Sequence, residues 1–326
     1  MSNSQFFSNC TADTIREAAA ALKAGHLVAF PTETVYGLGA DAGNPEAVKR
    51  IYAVKGRPSD HPLIIHISSI NQIEKWAKEI PEYAIDLARA FWPGPMTLIL
   101  RRTEIAQDFI TGGQETVGLR VPSDPIALAL IQEFERISDS AIAAPSANRF
   151  GQVSPTSARA VFAELGKHLR PEDQILDGGE CAVGIESTII ECLQDSPRVL
   201  RPGVITVDMI MNVSSQLSNS FSCEIPTNVI RVSGSLENHY APFAKVLLDF
   251  TPTTGQGFIA MSSTRSPVGV IRLASPRDHE EFARVLYASL RAADEKGLSV
   301  VVVQQPKGDG IAIAIRDRLR RAANGR

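Results

Sequence analysis

The sequence of 326 residues lacks the features of a disulfide framework, a structural zinc site or a membrane anchor. Its four cysteines include no C-x-x-C pair, and their scatter suits a reducing compartment. The longest apolar runs, such as VVVV at residues 300–303, are far too short to cross a bilayer. The polar start MSNSQFF lacks the charged-then-apolar order of a signal peptide, so we expect a cytoplasmic protein with no membrane partner.

An excess of positive charge is also absent, because 33 Lys and Arg face 36 Asp and Glu and leave a formal net charge of −3. A chain with this balance does not attract nucleic acid through its overall charge, so its cations must be used locally. The densest basic run is RDRLRRAANGR at residues 316–326. For this run we expect a solvated face of the last helix.

Common catalytic and nucleotide-binding motifs are missing. In GLGADAG the third glycine comes one residue too late for a dinucleotide fingerprint, and GGECAVGIES has no Lys-Ser/Thr after its second glycine. Neither G-x-S-x-G nor H-E-x-x-H occurs. His61 and His66 lie five residues apart, which sends them to opposite faces of a strand. We therefore expect no metal site built by the protein alone.

The first two hundred residues instead alternate helix-like and strand-like segments. Thr11 and Asn44 are good helix caps, Pro45 suits a first helical position, and Gly25 ends the first helix. We predict further helices near residues 82–91, 124–136, 156–165 and 206–215, and strands at HLVAF, PLIIHI, MTLIL, VGLRVP, AIAAP, QILDGG, STIIECL and RVLRPG. Because βαβ repetition is not strict, the pattern favours an α/β fold with a twisted mixed sheet.

A change of composition divides the chain. We predict a first domain at residues 1–213, a linker rich in Ser, Asn and Pro at 214–242, and a smaller α/β domain at 243–326. The smaller domain has four strand-like segments, and we expect three layers. Its clearest helix should be capped by Ser275, opened by Pro276 and ended by Gly297.

Polar side chains cluster after one predicted strand and before another. Thr32, Glu33 and Thr34 follow the buried strand HLVAF, at the usual position for ligand contacts in α/β folds. A hydroxyl-capped turn would explain this segment alone equally well. In KGRPSDHPLIIHI, Pro58 restricts Arg57 to extended geometry, so its guanidinium can be held outward.

Two later segments add neutral donors and another cation. In APSANRFGQVSPTSA, Ser146 and Asn148 precede a glycine turn and a helix start at Ser154-Pro155-Thr156, an arrangement that suits a phosphate or a carboxylate. In GIESTIIEC…RVLRPG, Ser187, Thr188 and Arg201 bracket a strand pair. 

Lys55, Arg57, Arg120 and Arg201 together supply a cationic lining. Since no activated nucleophile is visible, these residues indicate a site that binds a polyphosphate and a small zwitterion and acts by positioning and charge neutralisation.

The same segments resemble the threonylcarbamoyl-AMP synthases of the YrdC-like family over about residues 11 to 206. The motifs that carry the resemblance are PTETVYGLGADA, K-x-R at Lys55 to Arg57, FWPGPMTLIL, VGLRVP, S-x-N at Ser146 to Asn148 within APSAN…SPTSA, ESTII and LRPG. The linker motif HYAP and the α/β tail resemble the two-domain form of this enzyme. The resemblance implies a YrdC-like domain followed by a smaller Rossmann-like domain.

The resemblance also implies an activity. Such enzymes convert L-threonine, bicarbonate and ATP into threonylcarbamoyl-adenylate and pyrophosphate, with Mg²⁺ bound to the nucleotide. Their product supplies a threonylcarbamoyl-transferase complex that modifies tRNA. By motif, Lys55 and Arg57 would be catalytic. The threonine contacts would be Thr34, His66, Arg120, Ser146 and Ser187, and the ATP contacts Lys55, Arg57, His61, Thr116, Asn148, Ser154, Thr156, Arg201 and His239.

Two positions depart from the family pattern, and two other functions stay open. His61 stands where the family usually has Asn, and the linker reads SGSLENHYAP where a Pro-Gly-Met stretch with basic residues is usual.

One alternative function is a non-catalytic RNA-binding module. The net acidity and the lack of interleaved aromatics argue against it. The other is a related carbamoyl-transfer enzyme with a different acceptor.

Overall fold

The computed structural model describes residues 7–213, 230–232, 234 and 239–325, which form two sheets with their helices. Much of the predicted linker at 214–242, including most of the divergent SGSLEN stretch, lies outside the described residues. The predicted domain limits therefore stay a prediction. No helix in the described ranges is both long and apolar enough to span a membrane.

The large sheet occupies the part of the chain before residue 214. Its helices are α1 (Ala12–Lys23), α2 (Pro45–Lys55), α3 (Ile73–Trp76), α4 (Glu82–Phe91), α5 (Asp108–Thr111), α6 (Pro125–Ile137), α7 (Ala158–Leu165) and α8 (Val207–Val213). Its strands are β1 (Phe7–Asn9), β2 (Val28–Phe30), β3 (Gly37–Asp41), β4 (Ile64–His66), β5 (Ala77–Lys78), β6 (Met96–Arg102), β7 (Thr116–Arg120), β8 (Ile142–Ala143), β9 (Gln174–Asp177), β10 (Thr188–Glu191) and β11 (Arg198–Arg201).

This sheet is mixed, as predicted. The strand order is β1-β9-β2-β3-β8-β4-β7-β6-β10-β11, and β5 pairs with β6. The pairs β2–β9, β4–β7 and β6–β10 are parallel, whereas β2–β3, β6–β7 and β10–β11 are antiparallel. Val28 and Phe30 pack against α1 and α6, and Ala29 between them belongs to the core on the opposite face. Helices therefore cover both faces of the sheet.

Local sequence sets the ends of the first two helices. The Thr11 hydroxyl accepts a hydrogen bond from the Thr14 amide of α1, and the Asn44 side chain accepts from two amides of α2. Gly56 ends α2 in the left-handed conformation, with φ +62°. This cap turns the chain directly before Arg57, so the basic loop leaves the helix in the extended direction that Pro58 favours.

One helix start in the first unit was predicted wrongly. Helix α7 begins at Ala158 with Ser157 as its cap, so neither Ser154 nor Thr156 starts a helix. GLGAD, which does not match a dinucleotide fingerprint, forms β3, an antiparallel partner of β2 that was not predicted as a strand.

The second sheet has four parallel strands, β12 (Lys245–Leu248), β13 (Gly257–Ile259), β14 (Ile271–Ala274) and β15 (Val300–Val303), in the order β12-β15-β13-β14. Helices α9 (His279–Glu295) and α10 (Ile311–Asn324) share one core with Val301 and Val303, whereas the cluster of Phe258 and Val302 on the opposite face contains no helical residue. A small Rossmann-like α/β unit was predicted correctly, but its helices form one layer. Asp278, and not Ser275, caps α9.

The two sheets share a hydrophobic core. Val35, Val153 and Ile185 of the first unit belong to the same buried cluster as Leu286 and Ile315 of α9 and α10. Gly184, between β9 and β10, approaches α9 so closely that a Cβ atom there would lie 2.4 Å from the Cα atom of Arg284. The second unit is therefore packed against the first through a continuous apolar contact and does not hang from a tether.

We predict that Gly184→Ala destabilises the protein by about 1–3 kcal/mol more than Gly179→Ala. Both glycines have φ +81°, so both substitutions introduce the same backbone strain, but a Cβ at Gly179 meets nothing within 4 Å. Only the Gly184 variant must displace the backbone of α9. Urea unfolding of the two variants measures the difference, and equal losses would show that the close approach does not exist.

Candidate active site

A small buried cavity lies where the ends of β2, β4, β7 and β8 meet. Its volume is about 50 Å³, well below the roughly 300 Å³ of a small ligand pocket. The cavity is lined by Thr32, Thr34, Val35, Tyr36, Gly37, Arg57, Ile64, His66, Arg120, Ala144, Pro145, Ser146, Glu186, Ser187, Arg201, Gly234, His239 and Tyr240. Predicted residues from all four motif segments thus come together, although more than a hundred residues separate some of them in sequence.

Arg120 lines one end of this cavity. One of its terminal nitrogens donates to Glu33 Oε1 at 2.7 Å and to Thr34 Oγ1 at 2.9 Å, and the other Glu33 oxygen accepts from the amide of Ser123. The ion pair is buried, and the Nε atom of Arg120 has no hydrogen-bond partner among the described residues. A buried guanidinium with an unused donor is suited to a carboxylate ligand.

His66 lies beside Arg120, because β4 and β7 pair in parallel with His66 opposite Arg120. Its Nδ1 atom is 3.2 Å from the carbonyl oxygen of Ile64, and its ring packs edge-on against Phe30. Burial, reinforced by the positive charge of Arg120, lowers the pKa of His66 to about 3. His66 is therefore a neutral imidazole at physiological pH and contributes shape and a hydrogen bond without charge.

Arg201 and Ser187 form a second cluster in the cavity. The Arg201 guanidinium donates from Nε and Nη2 to the backbone oxygen of Ser187, at 3.1 and 2.9 Å, and from Nη2 to its Oγ atom at 3.2 Å. Ser187 Oγ is also 2.8 Å from Thr97 Oγ1. Burial lowers the pKa of Arg201 from its usual value, which reflects the cost of holding this charge away from water.

The predicted pair Lys55 and Arg57 is buried, with only Arg57 lining the cavity. Arg57 donates to the carbonyl oxygen of Pro62 at 2.9 Å, and its guanidinium lies 6.0 Å from the Phe150 ring. Lys55 donates to the carbonyl oxygens of Ser146 and Asn148, so it ties the S-x-N segment to the end of α2. Burial, followed by the charge of Arg57, lowers the pKa of Lys55 well below its usual value.

The other predicted residues fall into two groups. Asn148 donates to the carbonyls of Arg149 and Gln152, and its buried Oδ1 has no partner in the described structure. Ser154 is buried and donates to Glu186. Thr116 begins β7, at the opposite end from Arg120, and Thr156 lines a different cleft between α7 and α9. The structure therefore does not bring Thr116 or Thr156 to the cavity.

Aromatic rings close the remaining side. Phe150 packs edge-on against both His61 and His239, and His239 packs against Tyr240 with ring centres 4.1 Å apart. His239 and Tyr240 are almost fully buried. Burial lowers the pKa of His239 to about 3, so this ring is also neutral. The HYAP segment thus fills part of the cavity and explains its small volume.

Glu186, Tyr287 and Arg318 were not predicted as functional residues. Glu186 lines the cavity and accepts hydrogen bonds from Ser154, Tyr287 and Arg318. The expectation that the C-terminal basic run is solvated was wrong for Arg318, which is fully buried. The only sequence signal was the spacing of Arg318 on the same helical face as Ile311 and Ile315.

The cavity thus combines three buried arginines with neutral hydroxyl donors on a mixed α/β domain. The Sua5/YciO/YrdC family profile, described as "Telomere recombination", matches residues 20–203, and a profile described as "Threonylcarbamoyl-AMP synthase, C-terminal domain" matches residues 205–324. The chain belongs to the two-domain threonylcarbamoyl-AMP synthases of this family.

Named relatives agree over nearly the whole length. The chain is 41% identical to the threonylcarbamoyl-AMP synthase of Pyrococcus abyssi, covering 96% of this chain and 94% of the relative. It is 39% identical to that of Bacillus subtilis, covering 96% and 93%. The crystal structure of P. abyssi Sua5 complexed with L-threonine superposes with a TM-score of 0.85 at 38% identity and covers 98% of both chains.

The buried histidine His66 predicts a pH dependence of stability. Its folded pKa of about 3 lies below the unfolded value, so only the unfolded state takes up its proton as the pH falls below about 6.5. Between about pH 7.5 and pH 5.5 this single site should cost about 1.4 kcal/mol of unfolding free energy. Over the same pH range, we expect the unfolding free energy of the His66→Gln variant to fall by about 1.4 kcal/mol less than that of the wild type.

Urea unfolding at the two pH values gives the measurement. His168→Gln serves as the control, because His168 is exposed at the end of the α7 segment and its replacement should leave the slope unchanged. Equal pH slopes for His66→Gln and the wild type would contradict the assignment of His66 as a buried neutral ring.

Proposed function

We propose that this protein catalyses the formation of threonylcarbamoyl-adenylate and pyrophosphate from L-threonine, bicarbonate and ATP. The observation that carries the proposal is the presence of three buried arginines, Arg57, Arg120 and Arg201, around a single cavity in a chain of this family. A carboxylate and a polyphosphate are the two ligands that would use them, and the reaction requires both in contact.

Threonine is assigned to the Arg120 end. The unused Nε donor of Arg120 faces no carboxylate of its own, because Glu33 is held by Nη2, so the threonine carboxylate can bind there. Thr34, His66, Ser146 and Ser187 line the same cavity and supply neutral contacts for the amine and the hydroxyl. A neutral His66 suits a cationic amine, which an imidazolium would repel.

ATP is assigned to the Arg57 and Arg201 side. Arg57, Arg201 and His239 line the cavity, His61 packs on Phe150, and Asn148 is held by Lys55 two residues after the cavity-lining Ser146. Lys55 stabilises the S-x-N backbone from behind and adds positive charge. We assign Ser154 to the Glu186 network, and we do not assign Thr116 or Thr156 to the nucleotide, because both lie away from the cavity.

The chemistry needs no protein nucleophile. The threonine amine attacks bicarbonate and gives the carbamate with loss of water, and a carbamate oxygen then attacks the α-phosphorus of ATP as pyrophosphate leaves. Arg57 and Arg201 would neutralise the charge that develops on the phosphates, and the cavity walls would hold the carbamate in line with the leaving group. Exclusion of water by His239 and Tyr240 would protect the carbamate.

Magnesium would enter with the nucleotide. Glu186, which lines the cavity, is engaged by Arg318, and Glu33, next to the cavity, is engaged by Arg120, so the donor set fits a phosphate-bound Mg²⁺ better than a protein cage. We propose that the phosphates supply its main ligands. The ion would offset phosphate charge next to Arg57 and Arg201.

We place the enzyme in the cytoplasm, with tRNA and a threonylcarbamoyl-transferase complex as the users of its product. The reactive adenylate would pass to that complex for tRNA modification. A purely RNA-binding role fits the cavity less well, because its arginines are buried and cannot track an RNA backbone. A carbamoyl-transfer enzyme with another acceptor is less consistent with the two-domain family profiles.

Pyrophosphate release tests the proposal. We expect release from ATP only when threonine and bicarbonate are both present, because the carbamate is the nucleophile. Each substrate omitted alone provides a control, as does replacement of threonine by alanine. Release that ignores threonine, or none under any condition, would overturn the proposed reaction.

Arg57→Ala should lower the turnover number by about a hundredfold or more, the scale expected for one preorganised charge-stabilising donor. Steady-state pyrophosphate release at saturating substrates measures the effect. Arg89→Ala is the matched control, because Arg89 is an exposed arginine on α4 that pairs with the half-exposed Asp86 on the same helix. A wild-type turnover number in the Arg57→Ala variant would contradict the assignment of Arg57 to the phosphates of ATP.

A further inference from the structure

The second unit reaches the cavity through a buried network around Glu186. Glu186 Oε1 accepts from Ser154 Oγ at 2.6 Å, and Glu186 Oε2 accepts from Tyr287 of α9 and from Arg318 of α10, both at 2.8 Å. Arg318 and Tyr287 are fully buried, and Glu186 is nearly so. Helices α9 and α10 of the second unit thus supply two of these three hydrogen bonds to the Glu186 carboxylate of the first unit.

Arg318 also holds the residues on either side of the Ser187–Arg201 cluster. Its Nη2 atom donates to the carbonyl oxygen of Pro202 at 3.0 Å, directly after Arg201, while Glu186 directly precedes Ser187. One guanidinium therefore anchors both chain segments whose side chains form the Arg201–Ser187 hydrogen bonds. A rotation of either segment would change the position of a cavity-lining donor.

The same two helices hold Tyr240. Its ring stacks on Tyr287, with ring centres 5.6 Å apart, and lies 5.5 Å from the Arg318 guanidinium. Tyr240 adopts a φ of +65°, a conformation that is unfavourable for a tyrosine and needs its surroundings to maintain it. Tyr287 and Arg318 supply that support.

Arg318 is also the cation that forms the ion pair with Glu186. Although burial alone would raise the pKa of Glu186, Arg318 and then Arg201 bring it down to about 2, so the carboxylate stays charged and Arg201 is near enough to interact with it. While Arg318 occupies the carboxylate, Arg201 stays on Ser187. Without Arg318, Arg201 is the nearby buried cation left to compensate Glu186.

We infer that Arg318 and Tyr287 are positioning residues of the active site, supplied by the second unit, which keep Glu186 away from Arg201 and thereby preserve the geometry of Ser187, Arg201 and Tyr240. This inference rests on the proposed function. It gives the C-terminal unit a direct part in substrate binding, beyond a contribution to folding.

Arg318→Gln tests the inference. We expect the KM for ATP to rise by about 10- to 100-fold, since a small misplacement of a binding group has effects of this size, with a smaller change in the Kd for threonine measured without nucleotide. The double variant Glu186→Gln/Arg318→Gln should recover much of the lost ATP affinity, because it removes the carboxylate that would capture Arg201. Tyr287→Phe should show a milder increase.

Arg321→Gln is the matched control. Arg321 lies on the same helix and pairs with Asp317, as Arg318 does, whereas the side-chain donors to Glu186 within the described part of the chain are Ser154, Tyr287 and Arg318. If Arg318→Gln lowers only urea stability and leaves KM for ATP unchanged, or if the double variant recovers nothing, the inference is wrong. Absence of threonine-dependent pyrophosphate release in the wild type would instead contradict the proposed function.

Discussion

The burial of several like charges around one cavity is the constraint on which the rest of the structure depends. Arg57, Arg120 and Arg201 are each removed from water, and isolated buried charges are costly. The protein offsets this cost unevenly. Arg120 receives a carboxylate, whereas carbonyl oxygens of Pro62 and Ser187 are among the partners of Arg57 and Arg201. The cavity therefore has an ion-paired side at Arg120 and a side at Arg57 and Arg201 where neutral acceptors take part in stabilising the buried charge.

The same constraint explains why two units share one core. Glu186 is a second buried carboxylate beside Arg201, and a direct pair between them would cancel the charge that an anionic ligand needs. Arg318 from α10 takes that carboxylate instead, and the apolar packing around Ile185 brings α10 close enough to do so. Apolar packing at the interface thus fixes the distance between the two units, and the Arg318–Glu186 ion pair fixes the orientation of the side chains next to the cavity.

Sequence reasoning succeeded where the signal was local. Gly56 and Pro58 bracket Arg57, and the strand ends at Thr34, His66 and Arg120 carry polar residues that a fold alone does not require, so their convergence could be predicted. It failed where the partner was distant. Arg318 looked like part of a solvated basic face because its carboxylate lies 132 residues away. Ser154 resembled a helix cap, but Glu186 takes its hydroxyl and Ser157 caps α7 instead.

The small cavity volume follows from this arrangement. His239 and Tyr240 occupy space beside Arg57 and Arg201, and the Tyr240 hydroxyl has no hydrogen-bond partner within the described residues. Tyr240 is held from the second unit by the Tyr287 ring and the Arg318 guanidinium. The wall of the cavity next to Arg57 and Arg201 is therefore kept in place by contacts between the two units. The left-handed backbone conformation of Tyr240, with φ +65°, is unfavourable for a tyrosine and depends on those contacts.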